Sequence, residues 1–99
     1  MNIQSKKNET ELILFLSGSF DSVTAPMVQE DLEKQLADVT KLVLDFTEVT
    51  FLSSAGIRCI LWAEKHMQSR RGSQILRKVS NELKEVFVLT ALDNVLTFE

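Results

Sequence analysis

Ninety-nine residues with 44% hydrophobic content suit a single domain, residues 1–99, built around one core. A net charge of −3 excludes a basic nucleic-acid surface spread over the whole protein, and one cysteine and one histidine exclude an intrachain disulfide, a thiolate metal cluster and a multi-histidine metal site. The polar start MNIQSKKNETE is no signal peptide and no apolar run reaches membrane-spanning length, so a soluble, cytoplasmic, monomeric protein without cofactor is expected.

The first predicted strand covers Met1 to Lys6, with a turn around Asn8. Glu11 to Ser17 carries the run Leu12-Ile13-Leu14-Phe15-Leu16, which suits a central strand, and the two form an antiparallel hairpin. A helix follows from Thr24, a good N-cap, with Pro26 tolerated in its first turn and Ala25, Val28, Leu32, Leu36 and Val39 at helical spacing. The third strand is Lys41 to Phe46, where Asp45, Thr47 and Glu48 break the apolar pattern. A second helix begins after Ser53 and Ser54 and reaches about Arg70, with Gly72 as its stop signal. Arg70 and Arg71 suit the negative end of that helix. Ser73 to Val79 is a fourth strand. Ser80 caps a third helix with Leu83, Val86, Phe87 and Thr90 inward, and Val95 to Phe98 closes the sheet. Strands alternating with helices predict an α/β fold with parallel right-handed crossovers and a mixed sheet of four to five strands, edged by the N-terminal hairpin.

On the second helix, an advance of about 100° per residue puts Ile60, Ala63 and Met67 on the inner face, flanked by Ile57 and Cys59. Cys59 reads as a small buried hydrophobe and His66 as an ordinary surface residue. The opposite side collects Ser54, Arg58, Leu61, Trp62, Lys65 and Ser69. An outward Leu61-Trp62 pair between Arg58 and Lys65 has the composition of a docking stripe, because Trp and Arg are enriched at interface hot spots. Packing of Trp62 against the sheet edge or a neighbouring loop is the alternative.

The hydroxyls at the strand-to-helix turn can cap, attack or accept a phosphoryl group. Attack needs a base within hydrogen-bond reach. His66 lies roughly 18 Å along the helix from Ser54, and neither a G-x-S-x-G elbow nor a G-x-x-x-x-G-K-[ST] loop is present. An enzyme is therefore not expected. Phosphorylation asks less: a helix N-terminus tolerates an added charge of roughly −1.5 to −2, while an apolar docking surface does not. Gly56, in the first turn, leaves room for something to approach the backbone.

The segment Phe51-Leu52-Ser53-Ser54-Ala55-Gly56-Ile57-Arg58 resembles the signature loop of the STAS family of bacterial anti-sigma factor antagonists. Gly18-Ser19-Phe20-Asp21-Ser22-Val23-Thr24-Ala25 resembles the family's G-x-L/F-D-x-x-T-A segment, and the likeness runs from Ile13 to Phe98. It implies a partner that is an anti-sigma factor with ATP-dependent serine kinase activity, and a phosphatase that reverses the mark. The implied phosphoacceptor is Ser54, with Ser53 as second candidate, and Asp21 takes a supporting role in recognition. Gly56 matches the loop glycine; with Asp21, Ser53, Ser54, Arg58, Leu61, Trp62 and Lys65 it completes the expected partner-binding set. Ser53 stands where many members have aspartate, and Arg58 where the sporulation branch has glycine. Two other readings use the same fold: an accessory subunit of a lipid transporter, holding its ATPase by this helix face, and a sensor of a nucleotide or small apolar ligand.

Overall fold

The computed structural model describes residues 1–99. The elements are β1 (Asn2–Asn8), β2 (Glu11–Phe20), α1 (Ala25–Gln35) running on into a 3-10 turn (Leu36–Asp38), β3 (Lys41–Leu52), α2 (Ser54–Ser69), β4 (Ser73–Arg77), α3 (Asn81–Leu89) and β5 (Thr97–Phe98). They form one five-stranded sheet in the order β1-β2-β3-β4-β5. β1 pairs antiparallel with β2, and the remaining pairs are parallel. The mixed sheet and its N-terminal hairpin are as the alternation predicts. The hairpin pairing extends through Asn8, so the tight turn is Glu9-Thr10, with Glu9 in the left-handed region at φ 57°.

Sequential order has a geometric consequence. Parallel crossovers share one hand, so crossovers that all step the same way along a sheet deliver their helices to the same face. The core shows this: Val28 and Leu32 of α1, Ile60, Ala63 and Met67 of α2, and Leu83 and Phe87 of α3 all join one cluster. From the sheet come Leu12, Leu14 and Leu16, then Leu42, Leu44 and Phe46, then Leu76. Each such fully buried side chain stabilises the fold by about 1.5–3 kcal/mol. Val43, though buried, lies outside that cluster, because the alternating residues of the strands point to the opposite face, which no helix covers.

Several element ends differ from the sequence reading, β1 running to Asn8 rather than Lys6 and β2 to Phe20 rather than Ser17. β3 does not stop at Phe46 but continues to Leu52, with register shifts against β2 between Phe15 and Ser17 and between Gly18 and Ser19. At each shift β3 uses an extra residue, so its core positions pass from a spacing of two (Leu42, Leu44, Phe46) to three (Val49, Leu52). Asp45, Thr47 and Glu48 mark a bulge rather than a strand end. β4 and β5 are shorter than expected, ending at Arg77 and beginning at Thr97.

Thr90 is exposed, not inward; its hydroxyl donates to the Val86 carbonyl at 2.8 Å and finishes α3. Arg70 serves a different helix from the one expected. Its guanidinium donates to the carbonyls of Leu36 and Ala37, closing the end of α1 rather than that of α2. Gly72 does follow α2, donating to the Met67 carbonyl at 2.7 Å, but the left-handed residue is Arg71 at φ 58°.

Candidate functional site

The two segments singled out in the sequence meet in space. The parallel pairing of β2 with β3 brings both carboxyl ends to one edge, and the Ser53 N–H donates to the Phe20 carbonyl at 2.9 Å. α2 therefore starts against the loop that carries Asp21. Gly56 makes this closure possible: a Cβ there would lie 2.6 Å from the Phe20 carbonyl oxygen and 2.8 Å from Leu52 Cδ1. The glycine does leave room for a close approach, but what approaches is Phe20 of the same chain. Gly56 is buried, which corrects its assignment to the partner-binding surface.

Asp21 organises the entry to α1. One carboxylate oxygen accepts from the N–H groups of Val23 at 3.0 Å and Thr24 at 3.1 Å. The Thr24 hydroxyl accepts from the Asp21 N–H at 2.9 Å and donates to the Ser19 carbonyl at 2.7 Å. Thr24 thus precedes the helix as expected, but its hydroxyl turns back into the loop and caps nothing; the first helical N–H, that of Ala25, donates to the backbone carbonyl of Asp21 at 2.8 Å instead. The bonds from Thr24 and then Val23 hold the Asp21 carboxyl below its ordinary value, so it is a fixed anion at the rim of the site.

The two hydroxyls have separate roles. Ser53 is the N-cap of α2: its backbone is extended and its Oγ accepts from the Ala55 N–H at 3.2 Å. Ser54 is the first helical residue, exposed, and its hydroxyl takes part in no hydrogen bond within the chain. Capping thus engages Ser53 and leaves Ser54 accessible. Val23 (76% exposed) and Phe51 (54% exposed) are exposed apolar residues on the two segments that meet at this seam, the Asp21 loop and the end of β3. The sequence reading overlooked both as surface residues; for Val23 the available signal was an apolar residue isolated among polar loop residues just before a helix, while Phe51, on β3, offered none.

Along α2, Arg58 and Lys65 are exposed, as expected. Leu61 and Trp62 are not fully outward but half-buried and packed against the core. Trp62 stacks on His66 with ring centroids 5.6 Å apart. Both line a groove of about 540 Å³ between α1 and α2, with Glu33, Leu36, Ala37 and Arg70. The His66 ring, one turn on along the same helix, and the adjoining core take up the indole. Cys59 is buried, and burial pushes its thiol up to about 11, so it is neutral packing.

A polar cluster sits on the uncovered sheet face. Phe15, Asp45 and Arg77 occupy one row across β2, β3 and β4. Arg77 donates Nε–H and Nη2–H to Asp45 Oδ2 at 3.0 and 2.9 Å, and its guanidinium lies over the Phe15 ring at 5.7 Å. Burial opposes ionisation of Asp45, but bonds from the Thr47 hydroxyl and N–H and from Arg77 outweigh it, keeping the carboxyl below its ordinary 3.8. A depressed carboxyl contributes stability above its unfolded value, and that contribution is lost as pH falls through the folded one. In urea unfolding, the stability difference between the wild type and Asp45→Asn is therefore expected to be largest near pH 7. It should shrink as pH falls below 3.8. A difference independent of pH would remove the ion pair as its source.

No grouping of His, Cys, Asp and Glu is arranged to hold a metal ion, and no helix is long and apolar enough to cross a membrane. The sequence profile of the STAS domain matches residues 2–99. The anti-sigma-B factor antagonist of Listeria monocytogenes is 32% identical over 98 residues, covering 97% of this chain and 86% of that protein. The anti-sigma-B factor antagonist of Bacillus subtilis is 24% identical over 97% of this chain and 88% of its own length. Among solved structures, an anti-sigma factor antagonist from Mycobacterium paratuberculosis superposes with a TM-score of 0.85 at 22% identity, over 98% of this chain and 83% of that one. A sheet of this order, with all helices on one face and the two motif segments joined at its carboxyl edge, carries the same conclusion: the chain belongs to the STAS domain family that includes the anti-sigma factor antagonists.

Proposed function

We propose that this protein is an anti-sigma factor antagonist: it binds an anti-sigma factor, frees the sigma factor held there, and is switched off by phosphorylation of Ser54. The observation that carries the reading is the division of labour at the start of α2, where Ser53 caps and Ser54 stands exposed beside the fixed anion Asp21. The 32% identity with an anti-sigma-B factor antagonist supports the partner class. The partner's serine kinase activity would transfer the γ-phosphoryl group of ATP: Ser54 Oγ bonds to phosphorus, ADP leaves, and the hydroxyl proton passes to a base on the kinase. A phosphatase would restore the hydroxyl by hydrolysis.

The energetics suit a switch. At the first helical position the added dianion faces the free N–H groups and the positive end of the α2 dipole, so the fold accommodates it. With Val23 and Phe51 exposed on the same two segments, the same charge opposes a partner's approach, because docking would strip its water against apolar surface. Binding is lost without rearrangement of the domain.

The test is intact-mass and phosphopeptide analysis of the protein from its native host, with identification of what co-purifies. Phosphate on Ser54 and a kinase-like partner on the unmodified form are expected. A protein always unmodified and held by a transporter ATPase would overturn the reading.

A further inference from the structure

Arg58 lies one turn beyond Ser54 on α2, exposed, and no carboxylate or carbonyl of the chain engages its guanidinium. That sets it apart from Arg70, tied to the carbonyls of Leu36 and Ala37, and from Arg77, tied to Asp45. Residues four apart on a helix are neighbours, with Cβ atoms about 5–6 Å apart. Cα–Cβ bonds also tilt toward the helix N-terminus, so the long side chain of Arg58 leans back over the turn that holds Ser54. An acceptor placed before a cation at this spacing is the favourable order of the pair. The planar guanidinium matches two phosphate oxygens at once, which a lysine ammonium does not.

We infer that Arg58 is a built-in counterion for phosphorylated Ser54, and that modification withdraws this arginine from the docking surface as it adds the phosphate. This rests on the proposed switch at Ser54 and extends it. In the unmodified protein Arg58 is free to meet an acidic group of the partner. In the modified protein its fork closes on the phosphate of its own helix, so one covalent event removes a cation from the interface and adds an anion. Asp21 lies across the seam, its Oδ1 held by the N–H groups of Val23 and Thr24, and makes no ion pair with Arg58.

Phosphoserine can be placed at position 54 by genetic encoding, with no kinase involved. Hydrogen exchange of the arginine Nε–H groups is then followed by NMR in the full chain. Exchange at Arg58 is expected to slow about fivefold or more on phosphorylation, through a charge-assisted bond, while Arg71 at the far end of α2 stays unchanged. The phosphorus resonance should move in Arg58→Ala and recover only partly in Arg58→Lys. Equal exchange at Arg58 with and without the phosphate, or a phosphorus resonance indifferent to Arg58→Ala, would overturn the pair. Because the phosphate is encoded, absence of a cellular kinase would sink the switch and leave this result standing, and the reverse also holds.

Discussion

Gly56→Ala is expected to destabilise the domain by about 2–3 kcal/mol, despite placing the best helix former inside a helix. Alanine over glycine in a helix interior is worth about 1 kcal/mol in favour of the variant. Against it stands a methyl group 2.6 Å from the Phe20 carbonyl oxygen and 3.0 Å from Phe20 Cγ. Neither is free to retreat, because that carbonyl accepts from the Ser53 N–H and the Phe20 ring is fully buried. Overpacking against backbone costs more than against a flexible side chain, and the lost seam bond adds to it. For a domain of this size the change corresponds to a fall of about 10–15 °C in melting temperature by differential scanning calorimetry. A fall of less than about 3 °C would show that the α2 start does not depend on this close approach.

Ser54→Asp is expected to weaken partner binding at least about tenfold, roughly 1.4 kcal/mol, while Ser54→Ala binds within about twofold of wild type and resists inactivation by ATP. Aspartate at the first helical position favours the helix, since its charge meets the positive end of the dipole. Melting temperatures of the two variants should therefore stay close to that of wild type, which separates a binding defect from a folding defect. The cap is untouched in both, because Ser53 supplies it. Equal affinity of the two variants in a titration with the partner would refute a charge-operated switch at this residue. The pair also distinguishes the hydroxyls: Ser53→Ala removes a cap and acts on stability instead.

Both predictions depend on a seam that the sequence revealed only in part. Local signals were readable because local physics sets them. Ser80 does cap α3, its Oγ accepting from the Leu83 N–H at 3.2 Å, and Ile60, Ala63 and Met67 do face inward. The family match held because its two motifs lie on segments that the fold joins. What escaped was pairwise and distant in the chain. Asp45 in a strand looks like a terminator until Arg77, 32 residues on, is seen to pair with it and Thr47 to bond back across the bulge. Arg70 looks like a cap for its own helix, because the carbonyls it meets at Leu36 and Ala37 lie over thirty positions away. Gly56 looks like a vacancy on the surface, whereas the neighbour that fills it is Phe20. Trp62 seemed outward because a helical wheel records angle from the axis and not the reach of the adjoining core.

The strand order has a bearing on how the chain comes to be folded at all. Every strand pairs with the strand just before or after it in sequence, so no contact of the sheet waits for a segment synthesised much later. Loop-closure cost grows with the length of chain to be closed, and here each closure spans a two-residue turn, between β1 and β2, or a single helical connection. A nascent chain can add one strand-and-helix layer at a time as it emerges. The Phe20–Ser53 seam can close as soon as α2 is available, while β5, the short last strand paired to β4 at Thr97 and Phe98, comes last. The end of the molecule that would meet the partner is thus assembled before the sheet is complete.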